Sequence, residues 1–303
     1  MNSELLSHLP TITASRIVLL LSSSGEDLNV VFDRLYRYNG GRPRFLSCQQ
    51  LLHCLDDKAK YCCENWKGLY NCIVDNHDDW KIPSYANFLK SLKSLLYFLI
   101  DMIHLTLYIN RLEFFSRSDK IAFVDSTPLP VCKVIRSSRH KTMKYFAQYS
   151  KSTTGWYYGL KLHSVCDYSN NRALCITITN STLDDRQFLS KVMETKAFNN
   201  SGTMFVADKG YQEEVEVWVS QARVSPRQAS WLEDLARTTG NYLLTGKKKS
   251  KKMKILASQF DIWLLHNRAK IETFFSNLKL NNFITSTRSR SPLGYLFTYI
   301  NST

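Results

Sequence analysis

The sequence predicts an α/β protein in which a mostly helical first part precedes a mixed sheet of five strands with helices. Two observations indicate this division. Apolar residues recur with helical spacing from about Leu28 to Leu112, whereas short strand-like apolar runs begin after "SRSDK". With 303 residues, of which 44% are hydrophobic, the chain is long enough to bury two cores. We therefore expect a helical N-terminal domain over residues 1–117 and a second domain over residues 118–303.

Helix signals recur through the first part. Ser47 and Gln50 have the spacing of a capping box, which predicts a helix through Leu55. Pro83 followed by Ser84 predicts the start of another helix. The apolar face of this second helix would consist of Phe88, Leu92, Leu95, Leu96 and Leu99.

Charge and hydropathy limit the classes of function. The 40 Lys and Arg residues exceed the 26 Asp and Glu residues, which gives a net charge of +14 and a pI near 9.4. This balance favours a polyanionic partner, most simply nucleic acid, although a solubilising surface would have the same charge. The most hydrophobic segment, residues 94–109, contains Asp101 and His104 and is shorter than the ~20 residues of a membrane helix. We expect a buried helix there and no membrane partner.

The eight cysteines have no even framework, and no segment reads as a secretory signal. We therefore expect reduced thiols and a cytoplasmic protein. A zinc site is the less favoured alternative to simple packing of small thiols between helices, because no Cys-x-x-Cys pair is present. Its ligands would come from Cys54, Cys62, Cys63, Cys72, His53 and His77.

The second part alternates strand-like and helical segments. The order is three strands, helix, strand, helix, strand, helix, which is the element order of a ribonuclease H-like fold. The predicted segments are Ile121 to Val124, Trp156 to Cys166, Ala173 to Thr179, a helix from Asp185 to Lys196, a strand within 202–211, a helix from Glu213 to Ala236, a strand from Tyr242 to Leu244, and one long helix from about Gln259 to Asn281.

Two acidic residues close apolar strand-like runs. Asp125 follows "IAFV" and Asp208 follows "MFVA", and these two strands are neighbours in a ribonuclease H-like sheet, so the carboxylates would meet at one edge. A third oxygen ligand is expected from the last helix, where Glu272 lies beside an apolar stripe with Arg268 four residues before it. The alternatives are a turn aspartate at Asp125 and a surface ion pair at Glu272. The stripe would contain Ile262, Leu265, Ile271, Phe274, Phe275 and Leu278.

Other polar residues of this part have two explanations each. Asp184 and Asp185 are expected to cap the next helix, with a metal-binding role as the less favoured alternative, and His163 is expected to be a hydrogen-bonded histidine rather than a metal ligand. Two basic segments favour phosphate contacts over inert solvated loops. The predicted DNA-binding residues are Arg139, His140, Lys141 and Lys144 in the first segment and Lys247, Lys248, Lys249, Lys251 and Lys252 in the second.

Six motifs in order resemble the DDE transposases of bacterial insertion sequences, most closely the insertion sequence 982 family. The resemblance covers roughly residues 40–290 and departs from the family at Leu265, where related transposases often carry Tyr. It implies Asp125, Asp208 and Glu272 as the catalytic, metal-binding triad, with Arg268 and Lys279 as supporting basic residues. The motifs are "VDSTPLPVCK", "RHKTMK", "KSTTGWYYGLKLH", "ITNSTLDD", "ADKGY" and R-x-x-x-E-x-x-x-x-x-x-K.

The resemblance implies DNA strand cleavage and strand transfer with two Mg²⁺ ions, for which Mn²⁺ can substitute. It also implies double-stranded DNA partners, namely transposon ends and target, a homodimer or higher oligomer, and recognition of terminal inverted repeats by the helical first part. Two alternatives stay open. One is a ribonuclease H-like nuclease without strand transfer, and the other is a DNA-binding remnant that no longer catalyses, since both chain ends resemble the family poorly.

Overall fold

The computed structural model of the chain describes residues 45–61, 63, 65–153, 155–211, 231–245 and 259–280. These residues include seven α-helices and six β-strands. Three sets of predictions lie outside the described residues: the helical segment before residue 45, most of the helix predicted from Glu213 to Ala236, and the lysine-rich loop.

The described first part contains three helices, α1 (Cys48–Lys60), α2 (Trp66–Asn76) and α3 (Tyr85–Ser116). The predicted capping box is present, because the Ser47 amide donates to Gln50 Oε1 at 2.9 Å and the Gln50 amide donates to Ser47 Oγ at 3.1 Å. Helix α1 continues five residues past the predicted end. Ser84 is the N-cap of α3 as predicted, although its side chain makes no capping hydrogen bond. The three helices share a core that includes Leu51, Leu69, Ile73, Phe88 and Leu95.

Helix α3 joins this core to the rest of the chain. It is 32 residues long, and its last turns pack on the sheet, where Phe114 is fully buried. Asn110 Nδ2 and Arg111 Nη1 donate to the backbone carbonyls of Ala173 and Leu174, each at 2.9 Å. By length and composition α3 could cross a membrane, and 39% of its most apolar stretch is buried in the protein. Core helices of soluble proteins pass the same test.

The sheet is mixed and has six strands rather than the predicted five. β1 pairs antiparallel with β3 and parallel with β5, and β5 pairs parallel with β6, whereas β2 and β4 share the other edge of β3. This arrangement is consistent with a ribonuclease H-like domain. The strands are β1 (Ile121–Cys132), β2 (Gln148–Ser152), β3 (Gly155–Asp167), β4 (Ala173–Asn180), β5 (Met204–Ala207) and β6 (Tyr242–Thr245).

Helices cover both faces of the sheet. On one face lie α4 (Asp185–Glu194), α5 (Trp231–Thr238) and the end of α3, and on the other lie α6 (Gln259–Asn267) and α7 (Ala269–Leu280). Strand alternation sorts the residues of β1 between these layers. Ile121 and Phe123 enter the α6–α7 core, and Ala122 and Val124 enter the opposite core.

The long helix predicted at the end of the described chain is divided. Arg268 separates α6 from α7, and the Ile271 amide donates to the Arg268 carbonyl at 3.0 Å, a tight i to i+3 bond at the junction. This break changes which residues face the core. Ile262 is exposed, contrary to the predicted stripe, while Leu264 is fully buried.

Strand β1 is longer than the sequence predicts, because it does not end at Val124 but continues to Cys132 through Pro128 and Pro130. β1 pairs with β5 only over Ile121–Phe123, so among the described residues nothing pairs with the later part of this edge of β1. Proline, which has no backbone N–H, is tolerated on such an edge. The long β1 therefore carries Asp125 within the strand rather than at its end.

Gly159 of β3 lies against an irregularity of β1 between Pro130 and Cys132. A Cβ atom at position 159 would be 2.1 Å from the Leu129 carbonyl oxygen, a backbone atom that cannot move aside alone. We predict that Gly159→Ala lowers the free energy of unfolding by about 1–3 kcal/mol or more.

The matched control is Gly68→Ala in α2, where the nearest atom to a new Cβ is 3.5 Å away. This change should be neutral or stabilising by up to about 1 kcal/mol. Chemical denaturation of both variants measures the difference. Equal stability of the two variants would show that β1 and β3 are not in such close contact.

Candidate active site

The parallel pairing of β1 and β5 brings two predicted acids to the same level of the sheet. Phe123 is opposite Val206, and extending this register by two residues aligns Asp125 with Asp208. Phe123 and Val206 pack toward α6 and α7. Each acid comes two residues after one of them, so it is on the same side of the sheet. The two carboxylates therefore lie on the face that the last two described helices cover.

Arg268 joins these acids to the third predicted one. Its Nη1 donates to Asp125 Oδ2 at 3.1 Å, and its Nη2 lies 3.8 Å from Asp208 Oδ1 and 3.5 Å from Glu272 Oε1. Three carboxylates thus converge on one guanidinium. They differ in access to solvent, because the Asp125 side chain is 21% exposed while those of Asp208 and Glu272 are 53% and 63% exposed.

The pKa of the Asp125 carboxyl depends on its burial and on its charged neighbours. Burial raises this pKa from the ordinary 3.8 to about 6, and the nearby Asp185 and Asp208 carboxylates act in the same direction. The Ser126 amide, which donates to Asp125 Oδ1 at 2.8 Å, and Arg268 act against this rise. The negative charge of Asp125 is therefore only partly compensated, and further positive charge would stabilise it.

Lys279 lies on the same side of α7, seven residues after Glu272. Its ammonium group donates to Thr127 Oγ1, and burial lowers its pKa. Thr127 is two residues beyond Asp125 on β1, so it has the same strand parity. The structure thus brings the three acids together with Arg268, and it places the Lys279 ammonium group at Thr127 rather than in contact with an acid.

Asp185 is closer to this group than the sequence indicated. Asp184 caps α4 as predicted, since its side chain accepts a hydrogen bond from the Arg186 amide at 2.9 Å. Asp185 instead lies 3.2 Å from Lys161 Nζ and 3.4 Å from His163 Nδ1, and its charge raises the pKa of Asp125. It is a fourth carboxylate whose charge acts on Asp125.

Two buried aromatic groups complete the surroundings. His163 is buried and its Nε2 lies 2.8 Å from Thr179 Oγ1, and burial lowers its pKa to about 4, so it is neutral near pH 7. Tyr211 is also buried, and its hydroxyl has no hydrogen-bond partner within the described residues. Burial and the nearby acids raise its pKa well above 10. Its position three residues after Asp208 in "ADKGY" is the sequence signal that could have identified it.

The first basic segment lies between β1 and β2. Arg139, Lys141 and Lys144 are exposed, and His140 is half-buried. An exposed aromatic residue, Tyr145, lies among them with 89% of its surface accessible. The second basic segment, with Lys247, Lys248, Lys249, Lys251 and Lys252, lies outside the described residues.

A model of the family described as "Transposase DDE domain" matches residues 115–292, more than half of the chain. The chain belongs to this transposase family. Comparisons with curated proteins and with solved structures found no match. The matched residues of this DDE transposase include all strands of the sheet and the acids that converge on Arg268. The family is one of metal-dependent polynucleotidyl transferases, so membership supports transposase activity in general.

The converging residues fit a hard divalent cation. Asp125, Asp208 and Glu272 offer only carboxylate oxygens, the donors that Mg²⁺ and Mn²⁺ prefer. A guanidinium group lies where they converge, which shows that this position accepts positive charge. Asp125, with its partly compensated charge, is the donor that a cation would stabilise most.

The ion pairs of Arg268 predict a stability effect. We expect Arg268→Gln to lower the free energy of unfolding by about 1–3 kcal/mol, because the half-buried Asp125 would lose its charged partner and three carboxylates would repel one another. Thermal or denaturant unfolding without divalent cations measures the loss.

Arg172→Gln is the control for this change, because Arg172 contacts Glu113 at 2.7 Å with both side chains at least half exposed. It should alter stability by no more than about 0.5 kcal/mol. If both variants were equally mild, the acids would not depend on Arg268 for compensation.

Proposed function

We propose that the chain is an insertion-sequence transposase, similar to the insertion sequence 982 family, that binds terminal inverted repeats and catalyses Mg²⁺-dependent DNA cleavage and strand transfer. The observation that carries this proposal is the convergence of Asp125, Asp208 and Glu272 on one position within a transposase domain. Carboxylates arranged in this way are what phosphoryl transfer with divalent cations requires.

In this proposal the three acids hold two divalent cations. When bound, such ions activate the attacking oxygen and stabilise the leaving oxygen of an in-line displacement. Asp125, the least exposed of the three acids, would be their central ligand. Asp208 from the end of β5 and Glu272 from α7 each complete one side. Water serves as nucleophile in cleavage and a DNA 3′-hydroxyl in strand transfer, so no protein nucleophile is needed.

Arg268 and Lys279 act on the phosphate in this scheme. Arg268 pairs with Asp125 and Glu272, and from this position its guanidinium would donate to nonbridging phosphate oxygens of DNA held beside the acids. Lys279 lies on the side of α7 that carries Glu272, and its ammonium group donates to Thr127 Oγ1. Both residues then oppose the charge that develops in the transition state.

DNA binding is assigned to three regions. The helical first part would recognise the inverted repeats, and the basic segment between β1 and β2 would contact phosphates near the acids. Tyr145 gives this segment an exposed aromatic ring on which a base can stack. The lysine-rich loop is proposed to contact phosphates as well. The protein would act in the cytoplasm as a homodimer or higher oligomer that pairs two transposon ends.

Asp125→Asn tests the chemical part of this proposal. We expect loss of Mg²⁺-dependent cleavage, since a neutral amide is a poor bridging ligand, with DNA binding unchanged or slightly tighter because a negative charge near phosphates is removed. The substrate is a labelled duplex that carries the inverted repeat flanking the gene, assayed for cleavage and, with a precleaved end, for joining.

Asp234→Asn is the matched control, because it makes the same charge change at an exposed position of α5. It should cut and join like the unmodified protein. Cleavage at the unmodified rate by the Asp125 variant would exclude a metal-binding role for that residue. Cleavage without any joining by the unmodified protein would favour a nuclease of the same fold, and DNA binding without cleavage would favour an inactive remnant.

A paired substitution tests the basic segment. Lys141→Gln with Lys144→Gln should weaken DNA binding and flatten its salt dependence by up to about 0.9 in log–log slope for each phosphate that is no longer neutralised. Cleavage at saturating DNA should persist, because the acids are unchanged. Binding titrations at several salt concentrations measure the slope.

Lys191→Gln with Lys196→Gln is the control for this pair. Both lysines are exposed in and just after α4, whose buried residues pack on the opposite face of the sheet. The control variant should keep the unmodified slope. Equal weakening of DNA affinity in the two double variants would mean that only net charge matters, and not the position of the segment.

A further inference from the structure

Two histidines flank a buried aspartate in the helical first part. His77 Nε2 lies 2.7 Å from Asp57 Oδ2, and His53 Nε2 lies 4.0 Å from Asp57 Oδ1. Each oxygen of the carboxylate thus faces one imidazole. The Asp57 side chain is only 4% exposed, whereas that of His53 is 54% exposed, so the cluster has a closed side and an open side.

We propose that His53, Asp57 and His77 form a second metal site, distinct from the acids on the sheet, that binds Zn²⁺. One donor atom from each residue lies within 4.8 Å of the other two. A tetrahedral Zn²⁺ with bonds of about 2.0–2.2 Å needs donor separations of roughly 3.4 Å. The distance from His77 to Asp57, 2.7 Å, is shorter than this value, and the distance from His53 to Asp57, 4.0 Å, is longer. Small side-chain rotations would therefore form the site.

The local fold holds the three donors in place. His53 and Asp57 are four residues apart on α1 and therefore share one side of that helix. His77 is the C-cap of α2, where its amide donates to the Ile73 carbonyl at 3.1 Å. Its ring stacks on Trp80 with centroids 4.0 Å apart, and Trp80 also meets His53 edge-on at 5.8 Å.

The donor chemistry separates this site from the proposed Mg²⁺ site. Two imidazoles and one carboxylate suit Zn²⁺, whereas Mg²⁺ prefers oxygen donors alone. Three protein ligands leave the fourth position to water on the exposed side, next to His53. The zinc ligands that the sequence indicated were mainly cysteines, yet in the part of the chain that the structure describes the cluster contains none.

The position of the site between two helices, rather than its number of ligands, indicates a structural role. The site would connect α1 to the end of α2 across the helical core. Leu51 and Ile73 are buried in that core, and they come shortly before His53 and His77 in the sequence. A simple hydrogen bond between His77 and Asp57 is the alternative. That bond uses only one of the two histidines, and it predicts no effect of metal or of His53.

His53→Ala distinguishes the two explanations, because it removes a largely exposed ligand and leaves the hydrogen bond between His77 and Asp57 intact. The full chain is stripped of metal with chelator, dialysed and titrated with Zn²⁺ in the presence of millimolar Mg²⁺. We expect about one equivalent of tightly bound Zn²⁺, a rise in Tm on its addition, and tetrahedral absorption bands when Co²⁺ replaces it.

The His53 variant should lose more affinity than the roughly 10–100-fold that removal of an outer-shell partner costs, together with the Tm rise and the Co²⁺ bands. Its metal-free Tm should stay close to that of the unmodified protein. His266→Ala, at an exposed position of α6, and Asp125→Asn should both retain Zn²⁺ binding. Equal Zn²⁺ binding with and without His53, loss of binding in the Asp125 variant, or no tight equivalent in the unmodified chain would overturn the proposal.

Discussion

The short parallel contact between β1 and β5 is the constraint on which the rest of the site depends. Its register, with Phe123 opposite Val206, sets Asp125 and Asp208 side by side. Because β5 ends at Ala207, the contact stops before the acids, and beyond it β1 is paired only with β3 among the described residues.

Packing at that edge then determines where the third acid lies. Ile271 and Phe275 of α7 are buried in the core that also holds Phe123 and Val206, and this contact turns Glu272 toward the strand ends. The turn between β3 and β4 fixes the start of α7, since Asn171 Nδ2 donates to the Lys270 carbonyl at 3.0 Å. Hydrophobic burial thus positions a helix whose polar side carries the charged residues.

The sequence predicted what local pattern determines and missed what tertiary contact determines. Apolar runs before Asp125 and Asp208 identified two neighbouring strands, and the spacing of Ser47 and Gln50 identified a helix start. β2 was not predicted because "QYSKS" is polar and lies mostly exposed at one edge of β3. The extension of β1 past Pro128 depends on the neighbouring strand being short, and the proximity of Asp185 depends on the fold of β3 and α4, which residue spacing does not encode.

Helix α3 links the two parts of the chain mechanically. Its 32 residues correspond to roughly 48 Å at about 1.5 Å per residue. One end lies in the helical core, and the other is held to β4 by hydrogen bonds from Asn110 and Arg111. Since an unbroken helix bends little without a proline or a bulge, the two cores keep a fixed separation. DNA recognised by the helical part, as proposed, would therefore be held at a set distance from the acids on the sheet, and rigid spacing rather than direct contact would select the phosphate that is cut.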